Sequence, residues 1–222
     1  MVKDILTFLK ELQANNDKEW FQANKKRYDA LKKEHADIVQ QLINKISLFD
    51  PEIAGLEAKD CLFRIYRDIR FSPDKRPYKG HIGAYICQGG KNSWRSGYYL
   101  HLEPGNNLLS GGLWMPEPKL LKAVREDIYN QMDEFTAILD DSSFKADFPE
   151  LEGGTLKRNP AGYPADFPYQ EIIRHKDFCV SSIRPDSFFD QKDWIDQAAE
   201  TFKKLLPFHR FLNYTVDEFV KG

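Results

Sequence analysis

Six basic residues stand between Cys61 and His81: Arg64, Arg67, Arg70, Lys75, Arg76 and Lys79. Only two acids, Asp68 and Asp74, accompany them. Four of the six cations are arginines, whose planar fork of donors suits phosphate or carboxylate and stays charged near pH 7. On an extended chain Arg64, Tyr66, Asp68 and Arg70 share one face, and Arg67 falls among Phe63, Ile65, Ile69 and Phe71. Burying Arg67 there is costly unless it is paired or the strand ends before it. The pattern fits either an open anion site or an internal network in which Asp68 and Asp74 take up two arginines. The leading expectation is a site for a phosphate- or carboxylate-bearing ligand, built from Arg64, Arg67, Arg70 and Lys75. Arg76 and Lys79 lie nearby, and Tyr66 and Tyr98 would supply hydroxyl contacts. Any acid/base step would fall to Asp68 or Asp74.

Two other function classes use the same charge map. A nucleic-acid module would combine these cations with exposed tyrosines and bind with a steep salt dependence. A protein-interaction domain would use residues 126–152, where nine acids face Lys145 alone, to meet a basic partner.

Other chemistry has weaker signals. The histidines (35, 81, 101, 175 and 209) are scattered and no Cys-x2-Cys spacing occurs, so neither a metal nor a cofactor is expected. His101 and Glu103 can meet on one strand face, which a simple polar pair explains as well. Cys61, Cys87 and Cys179 sit in or beside expected strands, where buried thiols are inert. Ser110 lacks the Gly-x-Ser-x-Gly elbow, and Gly89-Gly90-Lys91-Asn92-Ser93 reads as a turn rather than a phosphate loop. The Ser110–Pro118 junction offers two glycines and a helix start to an anion, although Glu117 already suits that positive end. Arg125 points inward or snorkels, and Lys157 and Arg158 read as solvated loop charges.

The elements that must position these groups follow from periodicity. Ile5, Phe8, Leu9 and Leu12 mark a first helix, and Asn16 with Glu19 suggests the capped start of a second. That second apolar face runs from Trp20 to Ile46, long or bent, until Asp50-Pro51. Alternation then predicts strands at 62–66, 81–88, 96–103, 107–113 and 178–182, most of them joined by hairpin-length turns. Pro116 is expected to open a helix carrying Leu121, Val124, Ile128, Met132, Phe135 and Leu139. Residues 141–170, with four prolines, read as irregular before a short helix at 169–175. Asp186 is expected to cap a C-terminal helix that Pro207 divides from a last one. The expectation is one α+β domain over residues 1–222: helices in 1–50, an antiparallel meander of about four to five strands in 60–114, helix and irregular chain in 115–185, and helices in 186–220.

Composition removes the remaining classes. The chain has 16 Phe, 10 Tyr and 4 Trp, too many for a disordered polypeptide. Basic and acidic residues number 32 and 34, so total charge favours neither nucleic acid nor membrane. No apolar run reaches membrane-spanning length, no secretory leader is expected from the N-terminal residues, and the cysteine usage leads to the expectation of a cytoplasmic protein.

The run from Phe63 to Lys79, FRIYRDIRFSPDKRPYK, together with NNDKEWF at 15–21, GYYL at 97–100, WMPEP at 114–118 and LKRNP at 156–160, resembles the family catalogued as domain of unknown function 2461. Gly80 departs from it, standing where a small hydroxyl residue is more usual. The resemblance implies a soluble single-domain protein and carries no established activity, cofactor or catalytic residue.

Overall fold

The computed structural model describes residues 1–221. Helix α1 (Val2–Ala14) buries Ile5, Phe8, Leu9 and Leu12, the stripe its periodicity requires. Asp17, rather than the expected Asn16, caps α2 (Lys18–Ala23) by accepting the Trp20 N–H at 2.8 Å. Asn16 is engaged elsewhere, its amide donating to the Tyr78 carbonyl at 3.0 Å and accepting the Tyr78 N–H at 3.1 Å. The long apolar face therefore bends at Asn24 before α3 (Lys25–Ile46) and the short α4 (Ala58–Cys61).

The strand expected at 62–66 does not form. Two isolated antiparallel bridges replace it, Leu62 to Ala84 and Tyr66 to Tyr78. Tyr66 follows Leu62 by four positions but Ala84 follows Tyr78 by six, so no continuous ladder keeps register. Backbone bonds from Phe63 N–H to Gly83 (3.1 Å) and from Lys79 N–H to Ile65 (2.8 Å) still hold the segment against the sheet. Residues 67–77 leave as an excursion beyond it.

The sheet itself is a four-stranded antiparallel meander, β1 (Ile82–Ile86), β2 (Gly97–Leu102), β3 (Asn107–Leu113) and β4 (Phe178–Arg184), paired in that order. Between β3 and β4 lie α5 (Pro118–Asn130), α6 (Met132–Asp140), α7 (Ser142–Asp147) and α8 (Gln170–Arg174). Helix α5 starts at Pro118, two residues later than expected, and Gln131 divides its stripe from that of α6. Asp186 opens a 3-10 turn rather than a helix, and its carboxylate accepts from Gly105 and Asn107. Helices α9 (Trp194–Lys203) and α10 (Leu206–Lys221) complete the chain, with Pro207 in the first turn of α10, where its missing N–H has no intrahelical partner to lose. The fold class is α+β.

Register assigns the two faces of the sheet. Ala84, Tyr98, Leu100, Leu109 and Val180 share the face on which α9 and α10 pack, and all are essentially buried. Each large aliphatic side chain removed from water there contributes about 1.5–3 kcal/mol. Gly111 lets α10 come close, since a Cβ at that position would lie 2.5 Å from His209 Nε2. One hydrophobic cluster continues from Val2 to Val216. Tyr85, Tyr99, His101, Ser110 and Ser181 lie on the opposite face, which no helix covers to the same extent. No helix among the described residues is long and apolar enough to cross a membrane.

Candidate functional site

The arginine-rich excursion is tied together by its own acids. Asp74 receives both Arg67 and Arg76 at 2.7 Å, and Asp68 receives Arg70 at 2.7 Å. Both acids also accept the backbone N–H two residues on: Arg70 N–H donates to Asp68 at 3.3 Å and Arg76 N–H to Asp74 at 3.0 Å. This Asx-type turn carries each arginine side chain back onto its own carboxylate. Arg76, then Arg67, hold the Asp74 carboxyl far below the usual range, and Arg70 lowers that of Asp68. The Arg67 guanidinium further donates to the Arg76 carbonyl at 3.1 Å, so Arg67 sits where the chain leaves the sheet. Lys75 donates to the Ile69 carbonyl at 3.0 Å. Arg64 differs: it is exposed and, among the described residues, has no carboxylate within ion-pair distance.

The two tyrosines in the expected set separate. Tyr66 is 43% exposed and packs its ring against Tyr78 and Phe21. Tyr98 faces the helices, away from the cations, and donates its hydroxyl to the buried Asp50 at 2.9 Å. Of the residues expected at a ligand, Lys79 lines the large cleft over the sheet, and the others do not.

That cavity is a cleft of about 930 Å³ over the open face of the sheet. Its floor carries Tyr85, Tyr99, His101, Ser110 and Ser181. At one end stand Phe63 and Lys79, next to His101; at the other, where β2 begins and β3 ends, stand Trp94, Trp114 and Met115. His101 lies four steps of extended chain beyond Gly97, which puts those ends roughly 13 Å apart. Trp94 and Trp114 are 52% and 68% exposed, an unusual amount of aromatic surface to leave in water beside a cavity. Met115 holds φ +48°, a left-handed conformation fixed by its N–H bond to Asp177 at 2.6 Å.

The charges around the cleft are unequally free. Arg95 is held between Glu52 and Asp217, and Lys91 donates to the Asp60 carbonyl at 3.4 Å. Lys79 has no carboxylate partner among the described residues; its ammonium lies 5.5 Å from the Phe63 ring centre. Burial, then the nearby Arg64 charge, lowers the Lys79 pKa. On the floor, Ser181 donates to Glu152 at 2.7 Å and Ser110 to the Val180 carbonyl at 2.8 Å.

Along β2, His101 links its neighbours on the same face. Its Nδ1 lies 3.0 Å from the Tyr99 hydroxyl and its Nε2 lies 3.2 Å from Glu103. The His81 ring lies against that of His101, tilted by 33°, with the ring centres 4.4 Å apart. Burial lowers the His101 pKa while Glu103 opposes that shift, and burial pushes the Tyr99 phenol up to about 12. Gly83 makes room for the Tyr99 ring, whose hydroxyl would lie 2.6 Å from a Cβ at that position.

Sequence reasoning did not gather this set. The alternation of Tyr99, His101 and Glu103 was a readable signal for a shared face, but Trp94, Trp114, Ser181 and Glu152 join it only through strand register and loop paths. The acids of 126–152 are partly spent within the fold: Asp147 takes Arg184 and Lys204, and Asp141 caps α7. Arg125 points inward and donates to the His175 carbonyl at 2.7 Å. No group of three or more metal-ligating side chains occurs among the described residues.

No curated protein and no solved structure matches the chain. A family model described as "Conserved hypothetical protein (DUF2461)" matches residues 4–211. That span covers the excursion, the whole sheet and the cleft, and the chain belongs to this family.

Proposed function

We propose that the protein binds an anionic small molecule in the open-face cleft, with the acid group at Lys79 and a flat or apolar body lying toward Trp94 and Trp114. The observation that carries this reading is the Lys79 ammonium, partly buried at the cleft wall with no carboxylate among the described residues to neutralise it. A partly desolvated cation without a partner gains from an incoming phosphate or carboxylate what an exposed lysine would not. Arg64 adds positive potential from outside the wall. Arg67, Arg70 and Arg76 shape the excursion through Asp68 and Asp74 rather than contacting the ligand. Aromatic walls, a few polar floor groups and this volume suit a small molecule better than a polymer backbone.

The test uses the fluorescent aryl sulfonate 1-anilinonaphthalene-8-sulfonate as probe. Lys79→Met should weaken its binding about tenfold, or about 1.4 kcal/mol. Arg70→Gln, on the excursion, should leave binding within about twofold. Equal affinities for the native protein and Lys79→Met would overturn the reading. A loss with Arg70→Gln as large as with Lys79→Met would return the site to the arginine run.

A further inference from the structure

The group with the most directed chemistry in the cleft is the row Tyr99, His101 and Glu103. They occupy alternate positions on and just beyond β2, so all three project on the open side. The polarity of their hydrogen bonds is determined. An ionised carboxylate only accepts, so the proton shared with Glu103 at 3.2 Å resides on His101 Nε2. In the neutral imidazole Nδ1 then carries the lone pair, and the Tyr99 hydroxyl must donate to it across 3.0 Å. Asn106 fixes the far end by donating to the same Glu103 oxygen at 2.8 Å. The row thus terminates in a phenol oxygen on the cleft floor, with its proton already aimed at a base.

We propose that the cleft is an acid–base catalytic site, with Tyr99 as the catalytic residue and His101, oriented by Glu103, as the group that receives its proton. In the forward step a substrate X–H bond breaks and its proton joins Tyr99 Oη. The Tyr99 proton moves to His101 Nδ1, and Glu103 stabilises the imidazolium. The substrate keeps the electron pair, so no oxidant, reductant or metal enters the step. The reverse order returns the proton. The substrate is a weak acid that also bears an anionic group, a class that rests on the reading of Lys79 above. Phe63 touches both ends of this arrangement, with Lys79 at 5.5 Å and the Tyr99 ring at 6.3 Å from its ring centre.

The titration environment is consistent with that role. His101 faces Tyr99 and Glu103 from its own strand and the His81 ring from the segment before β1, with Lys79 acting on His81. Burial holds both imidazoles below their ordinary range, so His101 is an unprotonated acceptor at pH 7. The Tyr99 phenol stays protonated there, and its oxygen becomes basic or nucleophilic only as His101 takes its proton.

Aryl and benzyl sulfonyl fluorides report this without knowledge of the substrate. Tyr99 Oη attacks sulfur, the O–S bond forms, the S–F bond breaks, fluoride leaves and the phenol proton passes to His101. Phenylmethanesulfonyl fluoride, a neutral probe, and 4-(fluorosulfonyl)benzoate, an anionic one, are each reacted with the full chain and the modified peptide is located by mass spectrometry. Tyr99 should label at least about tenfold faster than Tyr214, which is 66% exposed and serves as an internal standard. His101→Gln should slow labelling about tenfold. The near-isosteric Glu103→Gln should slow it several-fold while leaving aryl sulfonate binding intact. The native rate should be level above pH 7 and fall in acid with a midpoint below 6.5, and His101→Gln should remove that midpoint. Tyr99 labelling no faster than Tyr214, or a rate indifferent to both substitutions, would overturn the proposal. The two readings fail separately. Lys79→Met slowing neither probe sinks the anion site alone, whereas an inert Tyr99 in a protein whose aryl sulfonate binding needs Lys79 sinks only the catalytic row.

Discussion

Tyr98 and Tyr99 are neighbours in the chain and lie on opposite faces of the sheet, each beside a histidine. On the helix side the Tyr98 ring packs 4.5 Å from His209, and neither His209 nitrogen has a hydrogen-bond partner. The Tyr98 hydroxyl goes to Asp50 instead. On the open side His101 is bonded at both nitrogens, one of them to Tyr99 itself. The same residue types therefore do different work. One pair fills volume in a dry layer; the other transmits hydrogen-bond polarity to a surface that a ligand can reach. Burial alone does not separate them, since His101 is 8% exposed and His209 2%. The difference lies in whether the imidazole has both a donor and an acceptor to work between.

The largest expected break in that comparison comes from pH. Burial holds His209 down to about 3 and His35, on α3, down to about 4. The unfolded chain takes up protons near pH 6.5 that these native imidazoles refuse, so the stability is present above pH 6.5 and is lost as pH falls toward those values. From pH 7 to 5 the pair should forfeit about 4 kcal/mol, roughly 2 from each. Urea unfolding at the two pH values measures the loss, and His209→Gln should reduce it by about 2 kcal/mol, leaving the shares of His35 and of His81, which burial also holds down to about 4. His101→Gln should alter the slope less, because Glu103 counteracts the burial of His101. Equal slopes for His209→Gln and the native protein would place the two histidines in the same class.

The second contrast uses the glycines that admit these rings. A Cβ at Gly111 would meet His209 Nε2 at 2.5 Å, Leu205 at 2.7 Å and the Gly97 carbonyl at 3.1 Å. A Cβ at Gly83 would meet the Tyr99 ring first, from 2.6 Å at its hydroxyl to 3.0 Å at Cζ. Helix α10 and a backbone carbonyl cannot retreat, whereas the Tyr99 ring can swing into the cleft. Gly111→Ala should cost about 2–3 kcal/mol by urea unfolding and Gly83→Ala about 1 kcal/mol. Gly83→Ala should nevertheless suppress labelling of Tyr99 by moving its hydroxyl off His101. Similar stability losses at both positions would mean that the open face is packed as tightly as the covered one.

Much of the fold was legible because its signals are local. Alternation marks β1 to β3 to within a residue or two, and the helical stripes of α1, α3 and α5 appear as spaced apolar side chains. The segment 62–66 alternates just as clearly and still fails as a strand, since its partner segment is two residues longer between the bridges. No pattern within 62–66 carries that information. The arginine run misleads for a different reason: charge density says nothing about charge that is free. Its neutralisation had a trace in the spacing of Asp68 with Arg70 and Asp74 with Arg76, which the Asx-type turns convert into ion pairs. The cleft had almost no local trace. Lys79, Trp94, Trp114 and Ser181 meet through register and loop geometry, both of them products of tertiary packing.

The smallest expected effect tests the tyrosines themselves. Tyr98→Phe removes the donor to a carboxylate that is 7% exposed and whose other bond, from the Glu52 N–H, spans 3.3 Å. An acceptor left short of a donor in a dry layer costs about 1–2 kcal/mol, readable as a lower urea midpoint at unchanged slope. Tyr99→Phe also deletes a hydroxyl, but the lost acceptor is His101 Nδ1 at the margin of a water-accessible cleft. Water can replace that donor, so the stability loss should stay below about 0.5 kcal/mol. Labelling at position 99 should vanish and aryl sulfonate binding should persist. A Tyr99→Phe protein as destabilised as Tyr98→Phe would show that both hydroxyls hold the fold, and the open-side row would then be a structural tie between strand positions rather than a path for protons.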